Sequence, residues 1–116
     1  VKVLSENRLA GQVAVVAQDA DLAACQRIVE GTQTMTVYKP IEQEAATAAT
    51  LAVALGKGED ISSSDCDYPV VETINNGNID IPYYKITPVA VTKENMDEVI
   101  VDGGFHTHED VYLNVK

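Results

Sequence analysis

The spacing of apolar positions changes several times along the chain, and each change marks an element. Residues 12–17, QVAVVA, form a short apolar run that predicts a strand buried on both faces. After Asp19 the period lengthens. Leu22, Cys25, Ile28 and Val29 make the stripe of an amphipathic helix, and Gly31 stands where such a helix takes a left-handed C-terminal cap. Residues 34–38, TMTVY, then return to an extended pattern. The three together predict a strand–helix–strand unit with parallel strands and a right-handed crossover.

Pro40 has no N–H to leave unpaired and is expected to open the next helix, IEQEAATAATLAVALGKG. Glu42 and Glu44 lie near the positive end of its dipole. Ile41, Ala45, Ala48, Ala52 and Leu55 share one face, mostly alanine, which lets a neighbouring backbone approach closely. The polar, Ser-rich EDISSSDCDYP reads as a surface loop. VVETI and IDIPYYKI flank NNGN, a hairpin signal, and Pro82 favours an edge position in the second arm. TPVAV is extended, Thr92 is expected to cap a short helix KENMDEVI, and VDGGFHTHEDVYLNVK reads as an irregular tail.

Composition narrows the function classes. A chain of 116 residues suffices for one core and is too short for two independent ones. The formal net charge is −10, from 18 acidic and 8 basic side chains, and the cations are scattered. That argues against nucleic acid, whose phosphates require a basic patch, and against an anionic membrane surface. No run approaches the ~20 apolar residues of a spanning helix. No basic-then-apolar leader opens the chain, and VKVLSENRLAGQ reads like the interior of a domain, so the sequence is expected to be a mature form or a piece of a longer protein. Of the two cysteines, Cys25 lies on the apolar side of its helix and is expected to be a buried free thiol; pairing with Cys66 is left open.

Two strand ends carry opposite charges where the chain leaves the sheet: Asp19 after VAVVAQ, and Lys39 after TMTVY. Open parallel sheets bind ligands just beyond the carboxyl ends of their strands. A carboxylate there accepts from two hydroxyls at once, and an ammonium donates up to three bonds. The two suit a neutral, hydroxyl-rich ligand, because their charges compensate each other while each reaches a hydroxyl. The plainer alternatives are that Asp19 is only the N-cap of the following helix and that Lys39 is a solvated turn residue. HTHED, residues 106–110, is metal-like but has no second cluster elsewhere to complete a shell, so a solvated tail is expected. GKG lacks the strand and glycine spacing of a phosphate loop, and no nucleophile–base pair stands out.

With those residues in view, GQVAVVAQDADLAACQRIVEGTQTMTVYKPI resembles the C-terminal part of the D-xylose-binding proteins of bacterial ABC sugar transporters. TINNG, TPVAVTKENMDEVIVDGGF and HEDVY continue the resemblance in order, so that it runs from Ala10 to Tyr112. One departure is VAQD, where a small-residue–Gly pair is expected before Gln18. The resemblance implies an α/β fold: part of a two-lobe periplasmic-binding-protein architecture with Rossmann-like parallel sheets, a C-terminal hairpin and a short helix. Residues 1–39 would end the second lobe, 40–88 would return to the first lobe, and 89–116 would hold the third crossing and the C-terminal tail. The rest of the first lobe would be absent. Asp19 matches the family's hydroxyl-accepting aspartate and Lys39 its sugar-contacting lysine, with Gln18 behind them.

The resemblance further implies a non-enzymatic module for an aldopentose, D-xylose first, without cofactor or metal. Its partner would be an ABC permease, and its place the periplasm or the cell exterior, with a lipid anchor as one form of attachment. Left without its lobe, the Ala-rich helix face is expected to be covered by dimerisation or segment exchange, or else to leave the chain marginally stable. Two other readings share the lobes: a sugar sensor docking on a receptor or histidine kinase, and the effector domain of a sugar-responsive transcription repressor.

Overall fold

The computed structural model describes residues 1–70 and 72–115. They fall into two compact units, Val1–Lys39 with Pro88–Lys116, and Pro40–Thr87.

The first unit opens with a short helix, α1 (Lys2–Glu6), that no apolar period announces. The strand–helix–strand unit follows as read: β1 (Val16–Gln18), α2 (Leu22–Val29) and β2 (Met35–Tyr38). The two strands are parallel, with Val16 opposite Met35 and Gln18 opposite Val37. Ala24, Cys25, Ile28 and Val29 turn the apolar side of α2 inward. The helix ends at Gly31, whose φ of 82° is the left-handed conformation that glycine adopts without steric cost.

In one respect the strand reading fails. β1 is not buried on both faces: it spans three residues, all exposed, with Val16 at 67%. The sheet order is β1–β2–β5, with β5 formed by Val89–Val91, so β1 is an edge strand among the described residues, and an apolar run alone does not distinguish an edge from a centre.

The Pro40–Thr87 unit holds the predicted long helix, α3 (Ile41–Gly56), begun at Pro40 with Glu42 and Glu44 in its first turn. Its Ile41/Ala45/Ala48/Ala52/Leu55 face is exposed, while Thr47 and Ala54, on the opposite side, are buried. The hairpin forms as β3 (Glu72–Asn75) and β4 (Asp80–Tyr83), antiparallel, with Gly77 at φ 96° in the turn. The first arm was expected to include Val71, which lies outside the described residues.

The chain returns to the first unit through β5 (Val89–Val91), antiparallel to β2. Thr92 does not cap a helix. Asn95 accepts from the Thr92 N–H at 2.8 Å and donates to the Ala90 carbonyl at 3.0 Å, closing a loop instead. A π-helical turn, Asp97–Val101, then precedes a last helix, α4 (His108–Val111).

Nor is the end of the chain an irregular tail. Val111 is fully buried in one core with Ala20, Cys25, Ile28, Val29, Val91, Met96 and Ile100, and Phe105 and Tyr112 pack against that core. Each large aliphatic side chain so buried contributes about 1.5–3 kcal/mol, so these residues are a principal source of the unit's stability. Side-chain bonds tie the segment to α2: Gln26 donates to the Asp110 carbonyl at 2.9 Å, and Asn114 to the Glu30 carboxylate at 2.8 Å.

Candidate functional site

Parallel pairing sets β1 and β2 side by side with their carboxyl ends level. The Asp19 N–H donates to the Val37 carbonyl at 2.8 Å, carrying the ladder one residue past β1, and Lys39 follows the last residue of β2. The two charged strand ends therefore meet. Lys39 Nζ lies 2.6 Å from Asp19 Oδ1, with the side chains 41% and 52% exposed respectively.

One plainer reading falls: the N-cap position of α2 belongs to Asp21, not Asp19. Lys39 is both ion-paired and half-exposed to solvent. Half-exposed pairs of this kind contribute at most about 1 kcal/mol to stability, so folding alone gives little reason for its placement. The carboxylate keeps acceptor capacity beyond the one bond to Lys39. Gln18, the last residue of β1, is exposed, and its side-chain amide makes no hydrogen bond among the described residues.

The backbone beneath the pair is unusual. Asp19 has φ 83° and Ala20 φ 50°, two consecutive non-glycine residues in the left-handed region. Each such residue carries strain that surrounding contacts must hold, and such positions concentrate at ligand sites. Here the contacts converge on Ala20, which is wholly buried. Its N–H donates to the buried Thr36 hydroxyl at 3.2 Å. Its carbonyl accepts from the Cys25 thiol at 3.4 Å and from His106 Nε2 at 2.9 Å. Burial, with a smaller push from the Asp21 charge, raises the Cys25 thiol from 9.0 to about 11, so the group stays protonated and able to donate.

Sequence reasoning singled out Asp19 and Lys39 and missed this support. Phe105 meets Tyr38, the residue before Lys39, at a ring separation of 4.9 Å, and makes a tilted contact with the His106 ring at 4.5 Å. The one available signal was an aromatic and a histidine directly after a Gly-Gly pair.

The two histidines of HTHED diverge. His106 bonds Ala20, while His108 stacks on Tyr112 at 4.4 Å and Thr107 caps α4 by accepting from the Asp110 N–H. Among the described residues no three His, Cys, Asp or Glu side chains stand close enough to hold a metal ion. Cys25 and Cys66 are both free thiols. Among the described residues no helix is long and apolar enough to cross a membrane. Within the Pro40–Thr87 unit, a cavity of about 370 Å³ opens between α3 and the Ser-rich turns, lined by Ala49, Val53, Lys57, Asp65 and Cys66 among others.

Comparison with known proteins adds three findings. The model of the periplasmic binding protein domain family matches residues 1–60. The chain is 47% identical over 97% of its length to a D-xylose-binding periplasmic protein of Haemophilus influenzae, and 43% identical over 96% to the protein of that name in Escherichia coli. It spans about a third of those relatives, 32% of each. Among solved structures, a carbohydrate transporter solute-binding protein of Chloroflexus aurantiacus in complex with D-glucose superimposes with a TM-score of 0.69 at 32% identity, covering 83% of this chain and 26% of that one.

Proposed function

The chain belongs to the periplasmic binding protein family, and on that premise we propose that it carries one side of a sugar clamp, with D-xylose or a related aldopentose as ligand. The observation that supports this most is the half-exposed Lys39–Asp19 pair, 2.6 Å apart beyond adjacent parallel strand ends. The Asp19 carboxylate accepts from sugar hydroxyls, and the Lys39 ammonium donates to a hydroxyl or ring oxygen. Because each charge already faces its counter-charge, a neutral sugar enters without leaving an uncompensated ion buried. A ligand lacking the matching hydroxyl would leave these groups unpaired, which is the basis of selection.

One side of a clamp binds weakly. The remaining contacts belong to the longer two-lobed protein of which this chain is the C-terminal part. The chain's span of a third of its named relatives supports that reading, as does its division after Lys39 and before Pro88. Residues 1–39 then close the second lobe, and 40–88 return to the first. The sugar draws the lobes together by contacting both, a population shift whose size is set by that differential contact. Nothing is chemically transformed. The closed form is delivered outside the cytoplasmic membrane to the permease of an ABC importer, and lipid anchoring is one way such a protein is kept near it.

Calorimetric titration of the intact protein with D-xylose, D-ribose, L-arabinose and D-glucose tests this. Tight binding of a pentose is expected, and Lys39→Ala should cost roughly 1.5–3 kcal/mol, more than tenfold in affinity. Unchanged affinity in the variant would remove Lys39 from the site. Failure of all four sugars would overturn the ligand class.

A further inference from the structure

The strained turn beneath the ion pair is held from two directions. Thr36 and Cys25 belong to the same strand–helix–strand unit as Asp19 and come with it. His106 does not: it reaches Ala20 from 86 residues away in sequence. A carbonyl oxygen only accepts, so the ring nitrogen facing it, Nε2, carries the proton. The imidazole is itself fixed. The Phe105 and His106 N–H groups both donate to the Ile100 carbonyl, at 2.9 and 3.2 Å, and the Phe105 ring packs on His106 and on Tyr38. The Phe105–His106 dipeptide therefore touches the backbone immediately after Asp19 and the side chain immediately before Lys39.

We infer that His106 is a positioning residue for the sugar clamp: by donating to the Ala20 carbonyl it holds the left-handed Asp19–Ala20 turn that aims the carboxylate at Lys39. This rests on the clamp reading above. It assigns to the end of the chain a part in ligand affinity that contact with sugar does not require. Without the imidazole, the Ala20 carbonyl keeps only the longer, weaker thiol bond, and the turn is free to relax toward ordinary backbone angles.

The test uses the intact protein and separates donor loss from general destabilisation. His106→Leu removes the donor. His106→Gln restores an N–H of similar reach. Val111→Ala loosens the same core while leaving every hydrogen bond to Ala20 in place. His106→Leu is expected to weaken pentose binding about tenfold, the scale of one lost hydrogen bond, and to speed amide exchange at Asp19 and Ala20 by a similar factor. His106→Gln should restore both, and Val111→Ala should lower the melting temperature while leaving affinity unchanged.

Parental affinity in His106→Leu, failure of His106→Gln to rescue, or a Val111→Ala loss of affinity equal to that of His106→Leu would each overturn the inference. Should His106→Leu not fold, the imidazole nitrogen spectrum of the parent decides: a proton on Nε2 supports the inference, and one on Nδ1 overturns it. If the parent binds none of the sugars, the clamp reading fails by itself. Exchange at Asp19 then judges His106, overturning its role if protection is the same with and without the imidazole.

Discussion

The key residue is Asp19, whose carboxylate is aimed by a left-handed backbone conformation that the following alanine, Ala20, shares at a steric cost. The sequence shows its charge at a strand end, and Lys39's, because a polar residue directly behind an apolar run is visible in one dimension. It does not show φ, nor a bond from His106 that spans 86 positions. Cys25 was readable as a buried thiol from its place on the helical stripe, but not as a donor to the same carbonyl. Its pH behaviour follows from burial. The folded-state value, about 11, stands above the ordinary 9.0, so the stability that the neutral thiol contributes is complete below pH 9 and is lost as pH rises toward 11. At about 1.4 kcal/mol per unit, the loss is about 2–3 kcal/mol. Denaturant unfolding of parent and Cys25→Ala between pH 8 and pH 11 should show the parent declining more steeply by that order. Identical slopes would contradict the burial argument.

Elements whose apolar period is regular were recovered from sequence; those held by irregular spacing were not. The α2 stripe, the Pro40 start of α3 and the NNGN hairpin each carry local chemistry that determines them. The end of the chain does not. Val111 is separated from Met96 and Ile100, themselves one helical turn apart, by the end of a π-helical turn and a Gly-Gly pair, so no continuous helical or alternating period connects it to them. Gly103 explains why that segment looks loop-like while being tightly packed. A Cβ there would lie 2.4 Å from the Val99 carbonyl oxygen, a backbone atom that cannot swing aside. Gly103→Ala should therefore cost about 1–3 kcal/mol, an overpacking loss, read as a lower melting temperature. Because Phe105 and His106 follow directly, sugar affinity should fall with it. A variant as stable as the parent would mean the turn has room that the structure does not give it.

At the scale of the whole molecule, the exposed faces make sense together. β1 is an edge strand with Val16 uncovered, α3 shows Ile41, Val53 and Leu55 to solvent, and the hairpin exposes Ile74, Ile79 and Ile81. The chain spans about a third of the curated relatives it matches. The resemblance to sugar-binding proteins could be read from QDADLA followed by GTQTMTVYKP; the edge status of β1 could not, since it depends on which strands are its neighbours. If the Asp19–Lys39 pair contacts the sugar, a crystal structure of the intact protein with D-xylose will show it. Sugar hydroxyls are expected within hydrogen-bonding distance, roughly 2.6–3.2 Å, of both the Asp19 carboxylate and Lys39 Nζ. Sugar bound elsewhere, with the pair left to solvent, would contradict it.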